Sequence, residues 1–234
     1  MNKTKAEIID IFSSLQGEGI FLGAKQIFVR FKKCNLACIF CDEPRDAKAK
    51  EYSSLELISE IKFLDLSKGP HHSVSLTGGE PLLYTEFLKI FLKLLKKQNF
   101  KSYLETNGTL PEELSRIIEF IDIIAMDFKL PSSTGAREYW DEHLDFLKIA
   151  IAKRVFVKAV VTPATTKQDV ERAVTIIKKV KDNIPLILQP ATPVKTNDKI
   201  VDNGALMGFL EIGSRNKLEN IRVIPQIHKI LNVK

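Results

Sequence analysis

The chain of 234 residues is poor in cysteine: it has three, Cys34, Cys38 and Cys41, all within one eight-residue stretch. An odd number so crowded does not make a disulfide framework, which needs paired thiols spread along a small secreted chain. No apolar run approaches the roughly 18 residues of a membrane span, so no membrane partner is expected. The opening Met1-Asn2-Lys3-Thr4-Lys5-Ala6-Glu7 lacks the apolar stretch of a secretory signal, and a soluble, cytoplasmic protein is expected. Gly/Ser linkers, low-complexity tracts and literal repeats are also missing, so one domain over residues 1–234 is expected. Charge is not concentrated either. A surplus of +6 is mild, and the densest basic runs, 93–97 and 178–181, fall inside helix-period patterns and read as solvated faces. With no basic stripe joined to a recognition motif, direct nucleic-acid binding is not expected.

What remains is an ordinary globular balance, 44% apolar and 27% charged residues, which argues against disorder and coiled coil. Short β-branched or aromatic runs alternate with amphipathic stretches. Strands are expected at 26–31, 73–76, 102–105, 121–127, 155–161, 185–189 and 221–224. Helices are expected near 55–64, 85–98, 111–120, 138–153, 166–180 and 199–212. Val170, Ala173, Val174, Ile177 and Val180 follow the i, i+3, i+4, i+7 rule of a core-facing helix, and Ser53-x-x-Glu56 reads as a capping box. Strands joined by helical crossovers imply an α/β fold, a partial (β/α) barrel with mostly parallel strands. Such folds bind ligands beyond the carboxyl ends of the strands. The unusual local sequences fall there: Thr77-Gly78-Gly79-Glu80-Pro81, Glu105-Thr106-Asn107-Gly108, Asp127-Phe128-Lys129 and Gln189-Pro190.

Cys34-x3-Cys38-x2-Cys41 is the central constellation. Thiolates are soft ligands that suit zinc or an iron–sulfur cluster. Zinc in a structural site takes four protein ligands, and His71 or His72 would have to supply the fourth. Three thiolates on a [4Fe–4S] cube would leave one iron open for a ligand. On spacing alone a cluster, zinc and unligated thiols all remain open.

With Phe40 just before the third cysteine, this spacing resembles the radical S-adenosylmethionine enzymes, and Thr77–Pro81 resembles their glycine-rich methionine-binding segment. A narrower likeness covers roughly residues 8–230. Gln16-Gly17-Glu18-Gly19 after Ser13, Phe28-Val29-Arg30, Cys34-Asn35-Leu36, Cys41-Asp42, Glu105-Thr106-Asn107-Gly108-Thr109 and Pro225-Gln226-Ile227-His228 resemble, in order, the 7-carboxy-7-deazaguanine synthase family. That family converts 6-carboxy-5,6,7,8-tetrahydropterin to 7-carboxy-7-deazaguanine with loss of ammonia, on the way to queuosine-type bases. The resemblance implies a [4Fe–4S] cluster on Cys34, Cys38 and Cys41, S-adenosylmethionine, Mg2+, a homodimer, and an electron donor such as flavodoxin or ferredoxin.

The resemblance also implies that Leu15, Gln16, Gly17, Arg30 and Thr77 touch the pterin. Arg30 could grip its carboxylate with two parallel hydrogen bonds, and the amide of Gln16 could pair with its donor–acceptor edge. Gly79, Asp127, Phe128, Lys129, Gln189, Pro190, Ala191 and Thr192 would line S-adenosylmethionine, with Glu105 and Asn107 in support. The segment 220–234 would close the rim, held by His228. Read without the family, Arg30 is a strand charge to be satisfied by Glu80 or Glu105, Trp140 is helix packing, and His143 is a surface residue. Two positions depart from the family pattern. Glu43 stands where a hydroxyl residue usually helps bind Mg2+; either it takes over the metal, or it points to solvent or pairs with Arg45 and leaves the metal to Asp42, water and substrate. Asp127-Phe128-Lys129 replaces Ser-Pro-Lys and resembles the Asp-x-Lys of glycyl-radical activating enzymes, which are the alternative reading. A zinc-stabilised RNA-binding module is a distant third.

Overall fold

The computed structural model describes residues 4–43, 46–193 and 199–233. In chain order its strands and helices are β1 (Lys5–Leu15), β2 (Lys25–Phe31), β3 (Lys50–Ser53), α1 (Ser54–Lys68), β4 (Ser73–Gly78), α2 (Thr85–Lys97), β5 (Ser102–Thr106), α3 (Pro111–Ser115), β6 (Ile123–Asp127), α4 (Pro131–Thr134), α5 (Trp140–Ala150), β7 (Arg154–Val161), α6 (Lys167–Val180), β8 (Leu186–Pro190), α7 (Asn203–Arg215), β9 (Ile221–Val223) and α8 (Ile227–Leu231). The strands form one sheet in the order β3-β1-β2-β4-β5-β6-β7-β8-β9. Every neighbouring pair from β2 to β9 is parallel, while β1 runs antiparallel to both β2 and β3. The sheet therefore has two edges and is a partial, unclosed (β/α) barrel. Among the described residues, no helix is long and apolar enough to cross a membrane.

All seven strands read from the sequence are present to within two or three residues at each end. Two were not anticipated. β1 escapes a period-2 reading because its register with β2 shifts between Ile8 and Asp10, so its apolar residues do not alternate. β3 is four residues at the sheet edge with no buried side chain, and a strand without a buried face leaves no hydrophobic pattern. The helix expected over 111–120 is interrupted: α3 stops at Ser115, and a separate 3-10 turn covers Ile118–Phe120. The capping box is formed, with Glu56 N donating to Ser53 Oγ at 3.3 Å and Ser53 N to Glu56 Oε2 at 2.8 Å.

Alternation along the parallel strands sorts side chains onto two faces. Ile27, Val29, Leu76, Leu104, Ile124, Val157 and Leu188 enter the main core beneath the helices, joined by Val170, Ala173, Val174 and Ile177 of α6. The intervening positions face inward. Toward the amino ends of the strands, Tyr103, Ile123, Phe156 and Ile187 pack with Phe21 of the β1–β2 loop as a second, smaller cluster. Toward the carboxyl ends the same face becomes polar: Arg30, Thr77, Glu105, Asp127, Lys158 and Gln189. His143 is a correction. It is fully buried, its ring stacks on Phe128 with centroids 4.6 Å apart, and its Nε2 lies 3.2 Å from the Asn107 carbonyl oxygen.

Candidate active site

The inner face encloses a cavity of about 670 Å3. The aromatic floor shuts one end of the barrel, and the cysteine loop stands at the other, beyond the carboxyl end of β2. Glycine is required where that loop meets the next strand. Glu80 N donates to the Lys33 carbonyl at 2.6 Å and Gly79 N to that of Phe31 at 2.8 Å, and a Cβ on Gly79 would overlap the Lys33 carbonyl oxygen. Cys34 and Cys41 are exposed and Cys38 is half-buried, all three bordering the cavity. Burial pushes the Cys34 and Cys38 thiols above the usual thiol range.

The histidines that a zinc site would need lie elsewhere. His71 and His72 precede β4, at the opposite end of that strand from the cysteine loop. His71 is engaged there, with Nδ1 2.7 Å from Asp65 Oδ1 and Nε2 2.7 Å from Ser13 Oγ.

Of the residues expected at the pterin, Leu15, Gln16, Gly17, Arg30 and Thr77 all border the cavity. Gln16 differs from expectation in one respect. Its side-chain oxygen accepts from Glu18 N, and its amide nitrogen donates to Gln26 Oε1 and Glu105 Oε1, so both ends of the amide are held by protein. Glu105 also accepts from Ser75 Oγ at 2.7 Å and Thr77 Oγ1 at 3.3 Å, among the residues expected at the pterin. Arg30 is satisfied by neither Glu80 nor Glu105. Its Nη1 pairs with Glu43 Oε2, and its guanidinium stands over the Phe12 ring. Burial raises Glu43 above the usual carboxylate range, against the pull of Arg30. The alternative partner of Glu43, Arg45, lies outside the described residues.

Of the residues expected at S-adenosylmethionine, Gly79, Asp127, Lys129, Gln189, Ala191 and Thr192 border the cavity. Phe128 does not, because its ring is turned into the core against His143; Pro190 does not reach the cavity either. Asp127 Oδ1 and Gln189 Oε1 are buried in the wall with no hydrogen-bond partner. Buried polar atoms left in that state cost free energy unless a ligand answers them, so the wall fits a cofactor rich in donors. Behind it, Glu80 accepts from Leu82 N, Thr106 Oγ1 and Asn107 N; burial nevertheless raises its pKa to about 7.

Sequence reasoning missed Lys158 and assigned no role to Glu18 or Gln226. Burial works against the Glu18 carboxylate, yet Lys158, with help from Gln226 and His228, brings its pKa down to about 2. Burial likewise opposes the charge of Lys158, and Glu18 and Asp127 overcome it and raise its pKa. A lone lysine inside Val155-Phe156-Val157-Lys158-Ala159-Val160-Val161 was the available signal. The C-terminal segment reaches the same place. Ile227 N donates to the Gly17 carbonyl at 3.0 Å, a Cβ on Gly17 would overlap His228, and Lys229 pairs with Asp42 of the cysteine loop at 2.9 Å.

The chain matches the family model of the radical SAM superfamily, in which SAM is S-adenosylmethionine, over residues 28–189. Fold, cysteine loop and match agree: the chain belongs to that superfamily. It is 37% identical over 250 residues to the 7-carboxy-7-deazaguanine synthase of Geobacter sulfurreducens, covering 99% of each chain. It is 32% identical over 258 residues to that of Methanothermobacter thermautotrophicus, covering 98% of each. Within the superfamily the chain is a member of the 7-carboxy-7-deazaguanine synthase family. Its fold also matches the crystal structure of QueE from Escherichia coli, with a TM-score of 0.64 at 21% identity over 95% of this chain and 94% of that one.

Proposed function

We propose that the cavity converts 6-carboxy-5,6,7,8-tetrahydropterin to 7-carboxy-7-deazaguanine, contracting the ring with loss of ammonia. The observation that carries this reading is one inner cavity of about 670 Å3 bordered by the cysteine loop, the Arg30 guanidinium and the unpartnered Asp127 and Gln189 oxygens. The volume is in the range of small-molecule sites. The enzyme is a radical SAM lyase, and a [4Fe–4S] cluster, S-adenosylmethionine and Mg2+ are its cofactors. When bound, they supply one-electron cleavage of a sulfonium and the radical that follows from it. Family membership sets aside the activase and RNA-binding readings; Asp127 and Lys129, which suggested the former, form an ion pair at 2.9 Å in the cavity wall.

The protein's own part is to hold, orient and exclude water. Cys34, Cys38 and Cys41 would hold the cluster and leave one iron open. Gly79, Asp127, Lys129, Gln189, Ala191 and Thr192 would line S-adenosylmethionine. Leu15, Gly17, Arg30 and Thr77 would meet the pterin, while Gln16 and Glu105 keep that wall in place. The aromatic floor closes the cavity to water from below. Arg30 and Glu43 neutralise each other in the structure; a substrate carboxylate and Mg2+ are the opposite charges that would part them, Arg30 taking the carboxylate and Glu43 the cation. Mg2+ prefers oxygen ligands and often takes only one or two from protein. The enzyme would act as a cytoplasmic homodimer, reduced by a donor such as flavodoxin or ferredoxin.

Anaerobic incubation with S-adenosylmethionine, dithionite and 6-carboxytetrahydropterin, read by mass spectrometry, tests the reading. The expected products are 7-carboxy-7-deazaguanine and 5′-deoxyadenosine. Cluster-loaded enzyme that cleaves S-adenosylmethionine but forms no deazaguanine overturns it.

A further inference from the structure

The inner face carries a cation with no place in the scheme above. Lys158 projects from the middle of β7, its side chain 14% exposed, and its ammonium lies 2.5 Å from Glu18 Oε2 and 3.5 Å from Asp127 Oδ2. Both carboxylates are themselves anchored. Glu18 Oε1 accepts from Gln226 Nε2 at 2.8 Å, and Gln226 Oε1 accepts from Thr192 Oγ1 at 2.6 Å. Asp127 Oδ2 accepts from Lys129 Nζ at 2.9 Å, and that ammonium faces the Phe40 ring, next to Cys41. An alternating line of charge therefore runs from the β1–β2 loop, where the Gln226 amide holds Glu18, through the barrel wall to the cysteine loop.

We propose that Lys158 is a positioning residue that joins the substrate half of the cavity, through Glu18, to the cofactor half, through Asp127, so that the two ligands bind cooperatively. This rests on the proposed function, which places the pterin against the β1–β2 loop and S-adenosylmethionine against the end of β6. The loop and β6 hold their carboxylates on separate elements, and the ammonium bridges them. An exposed bridge of this kind would be worth little. Here the cation is nearly enclosed, and removing it leaves Glu18 without a counter-ion beside Asp127, which keeps Lys129, in a poorly solvated site where an uncompensated charge is costly. A ligand that fixes one carboxylate fixes the ammonium, and through it the other carboxylate. Coupling of this sort is reciprocal by linkage. The other titratable groups around the pair are Glu105 from β5, His228 from α8 and Lys129 beyond β6.

The test is calorimetric titration of anaerobically reconstituted protein with its cluster oxidised, so that no turnover occurs. S-adenosylmethionine and 6-carboxytetrahydropterin are titrated singly, then each in the presence of the other. The wild type is expected to bind either ligand about tenfold more tightly when the other is present. Lys158→Met should lose that factor. Its pterin affinity should also become pH-dependent, because Glu18 no longer has the cation that keeps it ionised. Lys158→Arg should regain part of the coupling. The double variant Lys158→Met/Glu18→Gln removes opposite charges together, so it guards against simple misfolding, and it should remain uncoupled. Full coupling in either Met variant overturns the proposal. So does a Lys158→Met protein whose pH profile matches the wild type. A wild type that binds S-adenosylmethionine but no pterin overturns the substrate reading itself, whatever the variants do.

Discussion

Arg30 is held by a protein carboxylate in the structure and by the substrate's in the proposed complex. It sits on the inner face of β2, has Phe12 beneath its guanidinium and has Glu43 as its counter-ion. Arg30→Lys keeps the charge but removes the planar fork, so it is not conservative at a bidentate site. Pterin affinity is expected to fall about tenfold, a loss of ~1.4 kcal/mol, with S-adenosylmethionine binding retained; titration of both ligands checks it. Glu43→Thr should stay active but require more Mg2+, and superimposable Mg2+ curves for the two proteins would remove Glu43 from the metal. His143 acts on stability instead. Burial holds it at about 4 against 6.5 when free, so the unfolded chain takes up the proton first and stability falls as pH drops from 6.5 toward 4. The loss is about 3 kcal/mol. Glu80 tilts the other way: its folded pKa is raised, so its contribution is present below 4.5 and lost as pH rises toward 7. The two slopes oppose each other between 4.5 and 6.5. His143→Leu should leave only that of Glu80, and urea midpoints at pH 5 and pH 7 should then favour pH 5 more than in the wild type. Neither the burial of His143 nor its pairing with Asn107 could be read from its flanking residues, since both partners come from other elements.

The loops after β2 and β4 work as one unit. Their junction is the backbone pair Glu80 N to Lys33 O, with Gly79 pressed against the same carbonyl. Gly79→Ala forces the cysteine loop away, an overpacking cost of about 1–3 kcal/mol. Circular dichroism should show the barrel intact, while iron bound after reconstitution falls well below the wild-type level. Normal iron loading would mean that the loop tolerates the displacement. The sequence located both loops, because glycines and cysteines at strand ends are local signals. It did not show that β1 precedes them as a bulged antiparallel strand, nor that α3 breaks off after Ser115. A register shift and a helix interruption are settled by packing against neighbours.

The barrel and the cluster site are largely separate in the molecule. The cysteines lie outside both apolar clusters. A triple Cys→Ala variant is therefore expected to unfold within about 0.5 kcal/mol of the cluster-free wild type, yet to be colourless and to release no 5′-deoxyadenosine. Absorbance, iron content and the nucleoside assay check the three parts, and release of 5′-deoxyadenosine by that variant would remove the cysteines from the cluster. The amino-acid sequence by itself determined the alternation of strand and helix, the parallel sheet, the thiol spacing and the glycine-rich strand ends. All of these depend on residues close together in the chain. Tertiary structure alone decided that Arg30 meets Glu43, that the Gln16 amide is held by Glu105, that Phe128 turns away from the cavity, and that Lys158 reaches Glu18 across 140 positions. The physical reason is the period-2 geometry of the strands. It presents alternate residues of distant segments to one inner face, and only the order of strands in the sheet determines which of them touch.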